Sequence, residues 1–255
     1  MKIISIINLK GGVAKTISSI NLAYILMAKH GVKVLLIDND KQGNTSKFFD
    51  LHSYEEPSLA DVLTIKEYSI SKAIRKTQYN GLDILPANMM LLRANKEILM
   101  DVSRPQQTRL RKALMSIASE YDYVVIDNAP DINMSVINAL VASDDVLIPI
   151  KVDKFAFDGL EILTEQIDEV KEFNPSLRIA GCFITMFKKN KVNIQGEEYL
   201  KNNLGIPVFN TFIRSTVKVD ETTFVGLPLI TYSKDSTATK DYIALVNEYL
   251  HGVRI

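Results

Sequence analysis

The sequence predicts an α/β fold, a doubly wound and mostly parallel sheet flanked by helices. Three observations carry that reading. Short β-branched runs alternate with longer stretches of helical periodicity. A glycine- and lysine-rich segment, Leu9-Lys-Gly-Gly-Val-Ala-Lys-Thr-Ile17, joins the first strand to the first helix. Two of the predicted strands end on aspartate, Asp38 and Asp127.

Residues 3–8 read as the first strand. Residues 16–30 place Ile20, Ala23, Leu26 and Met27 on one helical stripe, and Gly31 follows as a stop signal. Residues 32–38 (VKVLLID) are almost continuously apolar, as a strand covered on both faces is. Residues 82–86 form a further strand. Residues 105–120 form a helix with Leu110, Leu114 and Ile117 inward. Strands follow at 123–127 and 146–150, a helix at 159–173, and a strand at 178–185. A helix at 194–203, a strand at 207–211 and a helix near 238–250 close the chain. Strands separated by helices imply right-handed crossovers and a parallel sheet. Residues 48–70 and 215–234 are less regular and read as surface excursions of one domain, which spans 1–255.

Composition narrows the function. The chain of 255 residues is 47% hydrophobic and 24% charged, which supplies a substantial core. Thirty basic residues balance thirty acidic ones, so the chain is not globally basic, although a local basic face is compatible. The single cysteine, Cys182, excludes an intramolecular disulfide or a multi-cysteine metal site and reads as a buried strand residue. Nothing resembles a signal peptide, and no uncharged run approaches the length of about 18 residues needed to span a bilayer. A cytoplasmic protein that does not bind membrane is expected.

The 9–17 segment suits a polyphosphate. Gly11 and Gly12 let backbone N–H groups turn toward an anion, and the helix N-terminus adds partial positive charge. Lys15 can reach the outer phosphates, and the Thr16 hydroxyl can ligate magnesium. Val13, Ala14 and Ile17 complete the loop. The usual phosphate-loop pattern is not met literally, because Leu9 and Ala14 stand at its two glycine positions. A second lysine, Lys10, precedes Gly11-Gly12 instead.

That spacing, K-G-G-x-x-K-T, resembles the deviant Walker A motif of the ParA/MinD superfamily of P-loop NTPases. The resemblance implies ATP and Mg2+ as ligands and gives Lys10 a role across a dimer, on the partner's nucleotide. Ala14 stands where the family carries glycine, a methyl group beside the expected β-phosphate. Asp38-Asn-Asp-Lys-Gln-Gly-Asn44 resembles the family's D-x-D-P-Q-G-N, with Lys41 in place of proline. By that resemblance Asp38 supports the magnesium shell and Asp40 orients the attacking water. Alone, such acids would be solvated turn residues. Tyr121 to Asp127 resembles the Walker B strand, and Asp127 would hold magnesium through water. The family's D-x-P-P is reduced here to Asp127-Asn-Ala-Pro130.

Further segments narrow the resemblance to ParA/Soj proteins of the short form. Ile179-Ala-Gly-Cys-Phe-Ile-Thr-Met-Phe187 resembles I-x-G-x-x-x-T-M, Gly205-Ile-Pro-Val-Phe-Asn-Thr211 resembles G-x-P-V-F-x-T, and Gly226-Leu-Pro resembles G-K-P. The phosphate loop lies so near residue 1 that no DNA-reading domain is expected before it. The resemblance implies a switch for plasmid or chromosome partition. Such a protein forms an ATP-dependent homodimer, binds DNA without sequence preference, associates with the nucleoid, and hydrolyses ATP slowly until a ParB-like centromere-binding partner stimulates it.

Between residues 182 and 218 six bases (Lys188, Lys189, Lys191, Lys201, Arg214, Lys218) face two acids (Glu197, Glu198). Of these, Lys188, Lys189, Lys191, Arg214 and Lys218 are the candidate DNA contacts. A solvated face is the plain alternative. Arg104, Arg109, Arg111 and Lys112 read as a solvated helix face. A MinD-like membrane switch would end in a basic amphipathic helix, whereas Tyr242, Leu245, Val246 and Tyr249 read as core packing. A metabolic ATP-dependent ligase of the same fold would need a substrate site converging on the γ-phosphate. An iron–sulfur relative would need several thiolates. A non-hydrolysing homologue stays open because of Ala14.

Overall fold

The computed structural model describes residues 1–153, 156–203 and 205–252. Seven strands form the sheet: β1 (Lys2–Ile6), β2 (Val34–Asn39), β3 (Arg75–Lys76), β4 (Leu82–Leu85), β5 (Tyr123–Asn128), β6 (Asp145–Ile150) and β7 (Arg178–Ile184). Their order is β3-β4-β2-β5-β1-β6-β7. Every pairing is parallel except that of the short edge strand β3 with β4. The chain runs from β1 outward to β4, then returns through β5 and leaves by β6 and β7. That reversal beside β1 brings the carboxyl ends of β2, β5 and β1 into one row, where open α/β sheets bind ligands.

The crossovers and excursions carry α1 (Lys15–His30), α2 (Asn44–Phe48), α3 (Leu59–Thr64), α4 (Met90–Met100), α5 (Arg109–Met115), α6 (Met134–Ala142), α7 (Ala156–Val170), α8 (Lys191–Asn203), α9 (Val217–Val225), α10 (Leu229–Tyr232) and α11 (Thr237–His251). The pleat divides each central strand between two cores. Leu35, Ile37, Val124 and Ile126 pack under α3 to α6. Val34, Leu36 and Val125 pack under α1 and α11, with Tyr242, Leu245 and Val246. A third core joins Val146, Ile148, Cys182 and Ile184 to α6, α7 and Leu200 of α8. Burial on both faces is why these strands read as continuous apolar runs. Gly31 ends α1 at φ 68°, its N–H closing on Met27 O.

The structure revises several expectations. The strand expected at 207–211 shrinks to a parallel bridge between Val208 and Cys182. The helix expected at 105–120 is confined to α5, and the irregular stretches 48–70 and 215–234 contain α3, α9 and α10. Three further helices, α2, α4 and α6, lie where the sequence pattern predicts none. Arg104 and Arg109 are not solvated. Arg109 is 8% exposed and donates to Leu63 O at 3.1 Å and to Asp101 Oδ2 at 3.0 Å. Arg104 donates to Asp101 Oδ2 at 2.8 Å and to Thr64 O. Both pin α3 to the segment between α4 and α5, and only Arg111 and Lys112 remain exposed. Among the described residues no helix is long and apolar enough to cross a membrane.

Candidate phosphate-binding site

The loop after β1 is shaped by local side-chain bonds. Asn8 Nδ2 donates to Pro149 O at 2.8 Å, and Asn8 Oδ1 accepts the Lys10 N–H at 2.9 Å. Thr185 Oγ1 donates to Val13 O at 3.1 Å and anchors the loop to the end of β7. Gly12 has φ 70°, and nothing lies within 4 Å of a Cβ built on Gly11 or Gly12. Ala14 caps α1 at φ 65° and ψ 29°, a left-handed conformation that disfavours a side chain. Val13 and Ile17 are buried beneath the loop. The first N–H groups of α1 have no partner in their own helix, which suits an anion above them.

Lys15 is 8% exposed, and its Nζ donates to Lys10 O at 2.9 Å, across the loop. Burial holds its pKa below the ordinary lysine value, while Asp127, Asp40 and Asp131 pull it back up. One ammonium thus feels three carboxylates from the ends of two neighbouring strands, β2 and β5. Lys10 points elsewhere and forms an ion pair with Asp153.

Asp38 and Asp127 are register partners on β2 and β5, and both side chains emerge on the face covered by α1. Both are fully buried, at 0% and 1% exposure. Asp38 Oδ2 accepts the Ser46 N–H at 2.8 Å and the Ser46 hydroxyl at 2.7 Å. Asp127 accepts Thr45 Oγ1 at 2.7 Å and Ser19 Oγ at 3.1 Å, and the Thr16 hydroxyl bears on the same carboxylate. Burial, and then the neighbouring charge of Asp127, raise the Asp38 pKa to about 7. Burial likewise raises that of Asp127, against the hydroxyls of Thr45, Thr16 and Ser19. Two adjacent buried acids, solvated by hydroxyls and the N–H groups of Ser46 and Asp40, favour an added cation.

These oxygen donors are hard ligands, and a magnesium ion held by one or two carboxylates plus phosphate oxygens needs no larger cage. Among the described residues no cluster of three or more His, Cys, Asp or Glu converges on one point. Asp40 sits at the mouth, where its Oδ1 accepts the Gln42 N–H at 2.9 Å.

Of the candidate residues in the 9–17 loop, Lys15 and Thr16 converge with the acids, Lys15 on Asp127 and Asp40 and Thr16 on Asp127 beside Asp38, whereas Lys10 turns to Asp153. The basic residues do not form one free patch. Lys188, Lys189 and Lys191 are exposed and take part in no described salt bridge. Arg214 pairs with Asp241 at 2.6 Å and Lys218 with Glu221 at 2.7 Å, so both spend their charge within the fold. Sequence reasoning missed Ser19, Thr45, Ser46, Asp131 and Asp153. Thr45 and Ser46 directly follow the Gly43-Asn44 turn, a signal that was available. Ser19 had one only through helical spacing from Thr16.

The chain is similar to known proteins in sequence and in fold. A family described as AAA domain (AAA_31) matches residues 1–179. The sporulation initiation inhibitor protein Soj of Bacillus subtilis is 35% identical over 97% of this chain and 97% of its own length. A putative plasmid partition protein of Borrelia burgdorferi bound to AMPPNP superposes with TM-score 0.77 at 28% identity, covering 98% of this chain and 97% of that one. Cobyrinic acid a,c-diamide synthase of Mycobacterium smegmatis with bound ADP and magnesium superposes with TM-score 0.84 at 25% identity, covering 98% and 94%.

Proposed function

The chain belongs to the ParA/Soj family of partition ATPases, and from that premise we propose that it binds Mg-ATP at residues 9–17 and acts as an ATP-dependent DNA partition switch. The observation that carries this reading is the buried Lys15, its Nζ held on Lys10 O across the loop, facing the charges of Asp127, Asp40 and Asp131 beside the buried pair Asp38 and Asp127. It is supported by the AMPPNP and the ADP with magnesium found in proteins of similar fold.

In this reading the amides of Gly11 to Ile17 and the Lys15 ammonium hold the phosphates. Thr16, with Asp38 and Asp127 behind it, would hold the Mg2+ ion, which when bound supplies charge neutralisation on the phosphates. Asp40 accepts a hydrogen bond from the attacking water and fixes its line of approach. Phosphoryl transfer asks mainly for such positioning and electrostatic stabilisation. Lys10 leaves Asp153 and reaches the nucleotide of a second copy, so that two chains enclose two ATP molecules. Turnover is slow alone and faster with a ParB-like partner. Residues 1–255 act as one ATPase domain.

The dimer holds DNA through Lys188, Lys189 and Lys191, with Arg214 and Lys218 contributing once their partners yield. Such contacts neutralise phosphates and carry no sequence preference. The decisive experiment is binding to random-sequence duplex DNA with ATP, ADP or no nucleotide, at two salt concentrations. Binding that requires ATP and weakens steeply with salt is expected. Lys15→Ala should abolish ATP binding and with it DNA binding, and Asp40→Ala should trap an ATP-bound dimer. DNA binding indifferent to nucleotide would overturn the switch. ATP binding without DNA binding would favour a metabolic role, the reading that the likeness to a diamide synthase keeps in play.

A further inference from the structure

The pleat that directs Asp38 and Asp127 toward α1 directs the next residues, Asn39 and Asn128, to the opposite face. There the neighbouring inward residues are Leu35, Ile37, Val124 and Ile126. Two amides in this apolar layer are unfavourable unless hydrogen-bonded. They bond each other: Asn39 Nδ2 donates to Asn128 Oδ1 at 2.8 Å, and both residues are buried, at 0% and 1% exposure.

The contact extends at both ends. Asn39 Nδ2 also donates to Ser135 O at 3.1 Å, in the first turn of α6. Asn128 Nδ2 donates to Ile6 O at 3.2 Å, on the last residue of β1. The main chain adds Ala129 N–H to Asn39 O at 3.2 Å. A row of amides therefore crosses β1, β5 and β2 just beneath the 9–17 loop, the 38–46 loop and the 128–134 loop. The orientation of each amide follows from its partners, since both acceptors face Asn39 Nδ2. Asn39 Oδ1 is the one buried side-chain polar atom among the described residues with no hydrogen-bond partner. It leaves capacity for one more donor as the loops rearrange.

We propose that Asn39 and Asn128 are positioning residues whose side-chain clasp makes the loops after β2 and β5 respond to a bound nucleotide as one unit. The proposal rests on the nucleotide reading above. Neither residue touches the proposed phosphate site. Moving either loop alone breaks the Asn39–Asn128 bond and leaves the buried Asn128 Oδ1 without its donor, whereas moving both together preserves it. A shared element with two arrangements is the physical requirement for coupling two sensors.

Hydrogen–deuterium exchange on the full chain, with and without AMPPNP and Mg2+, tests this. In the wild type, nucleotide should slow exchange at 9–17, 38–46 and 128–134. In Asn39→Ala the slowing at 9–17 should persist, while that at 128–134 falls about fivefold, the factor expected for one buried hydrogen bond. Asn128→Ala removes the same bond from the other strand and should instead weaken the response of 38–46. The double variant should lose no more than the singles combined would predict for a shared contact. A purely structural role would speed exchange in the nucleotide-free state and leave the nucleotide-dependent slowing of both loops intact, which would overturn the proposal. If Asn39→Ala does not fold, Asn128→Ala decides alone. Absence of any nucleotide effect at 9–17 in the wild type would overturn the nucleotide reading itself, a result distinct from loss of coupling.

Discussion

The two ends of the sheet bury acids in opposite ways. At the carboxyl end, Asp38 and Asp127 lie side by side with hydroxyls and two N–H groups around them. At the amino end, Asp145 opens β6 at 0% exposure and meets charge instead. Lys2 Nζ lies 3.0 Å away, the Arg178 fork grips both oxygens, and Tyr249 donates at 2.7 Å. Burial pushes the Asp145 pKa up, but Arg178, Tyr249 and Lys2 more than offset it and the net shift is downward. The same burial leaves Asp38 at about 7. Where the acid is structural the chain supplies its own countercharge. At the carboxyl end Lys15 offsets the pair in part, and the like-charge repulsion that remains is what a cation-bearing ligand would relieve.

Neutralising the acids should therefore have opposite effects at the two ends, the largest difference we expect. Asp145→Asn leaves Arg178 and Lys2 without their counterion and should lower unfolding stability by about 2 kcal/mol, less than for a fully buried pair because both cations are partly exposed. Asp38→Asn removes repulsion from Asp127 and should leave the nucleotide-free protein as stable or about 1 kcal/mol more so. The same variant should lose the stabilisation that Mg2+ with AMPPNP gives the wild type. Urea unfolding with and without nucleotide reads both. Equal destabilisation by the two substitutions would erase the contrast.

The pH dependence should separate the ends more gently. Asp38 has a folded pKa of about 7, above its unfolded value of 3.8. Between those values the folded state binds the extra proton, so stability falls as pH rises and levels off above about 7. Asp145 has the opposite sign. Its lowered folded pKa contributes stability above the unfolded value, and that stability is lost only as pH falls through the carboxylate range. From pH 5 to 7 the nucleotide-free protein should lose about 2 kcal/mol, and Asp38→Asn should flatten that slope. A slope unchanged in Asp38→Asn would assign it to another group.

The carboxyl-end half of this contrast was legible in the sequence; Asp145 was not, since the sequence pattern begins that strand only at Val146. The order of strands and helices follows from runs such as 32–38, because a strand covered on both faces shows its burial as unbroken hydrophobicity. Asp38 and Asp127 could be placed at strand ends by the same token. The hydroxyls around them could not, since Ser19 sits in α1 and Thr45 and Ser46 in a five-residue helix, and only the β2-β5-β1 order brings them together. The ion pairs of Arg214 and Lys218 were invisible for a similar reason. Asp241 lies 27 residues beyond Arg214 in the chain. Helix α6 escaped because polar residues take buried positions in it, Ser135 and Asn138, where Asn138 Oδ1 accepts the Arg109 N–H at 2.8 Å; α4 did carry a readable stripe, Leu91, Ala94 and Ile98 at helical spacing.

The smallest effect concerns backbone conformation. At the amino end, the turns into β2 and β4 give their positive φ to glycines, Gly31 at 68° and Gly81 at 95°. At the carboxyl end, Gly12 and Gly43 do the same, but Ala14 at 65° and Met186 at 52° hold the left-handed region with side chains. An L-residue there is strained, whereas glycine is not. Ala14→Gly should therefore stabilise the protein by about 0.5 kcal/mol, the relief of strain being partly cancelled by the freer unfolded chain. It should also tighten AMPPNP binding, because the methyl group lies at the cap of α1 where the phosphates are proposed to sit. Gly31→Ala, the reciprocal change at the quiet end, should cost about 1 kcal/mol and leave nucleotide affinity alone. Calorimetric titration of both variants separates the cases. If Ala14→Gly gains stability without affinity, the strain is a local feature of the turn. If it gains both, the left-handed alanine limits how closely the loop can wrap a phosphate.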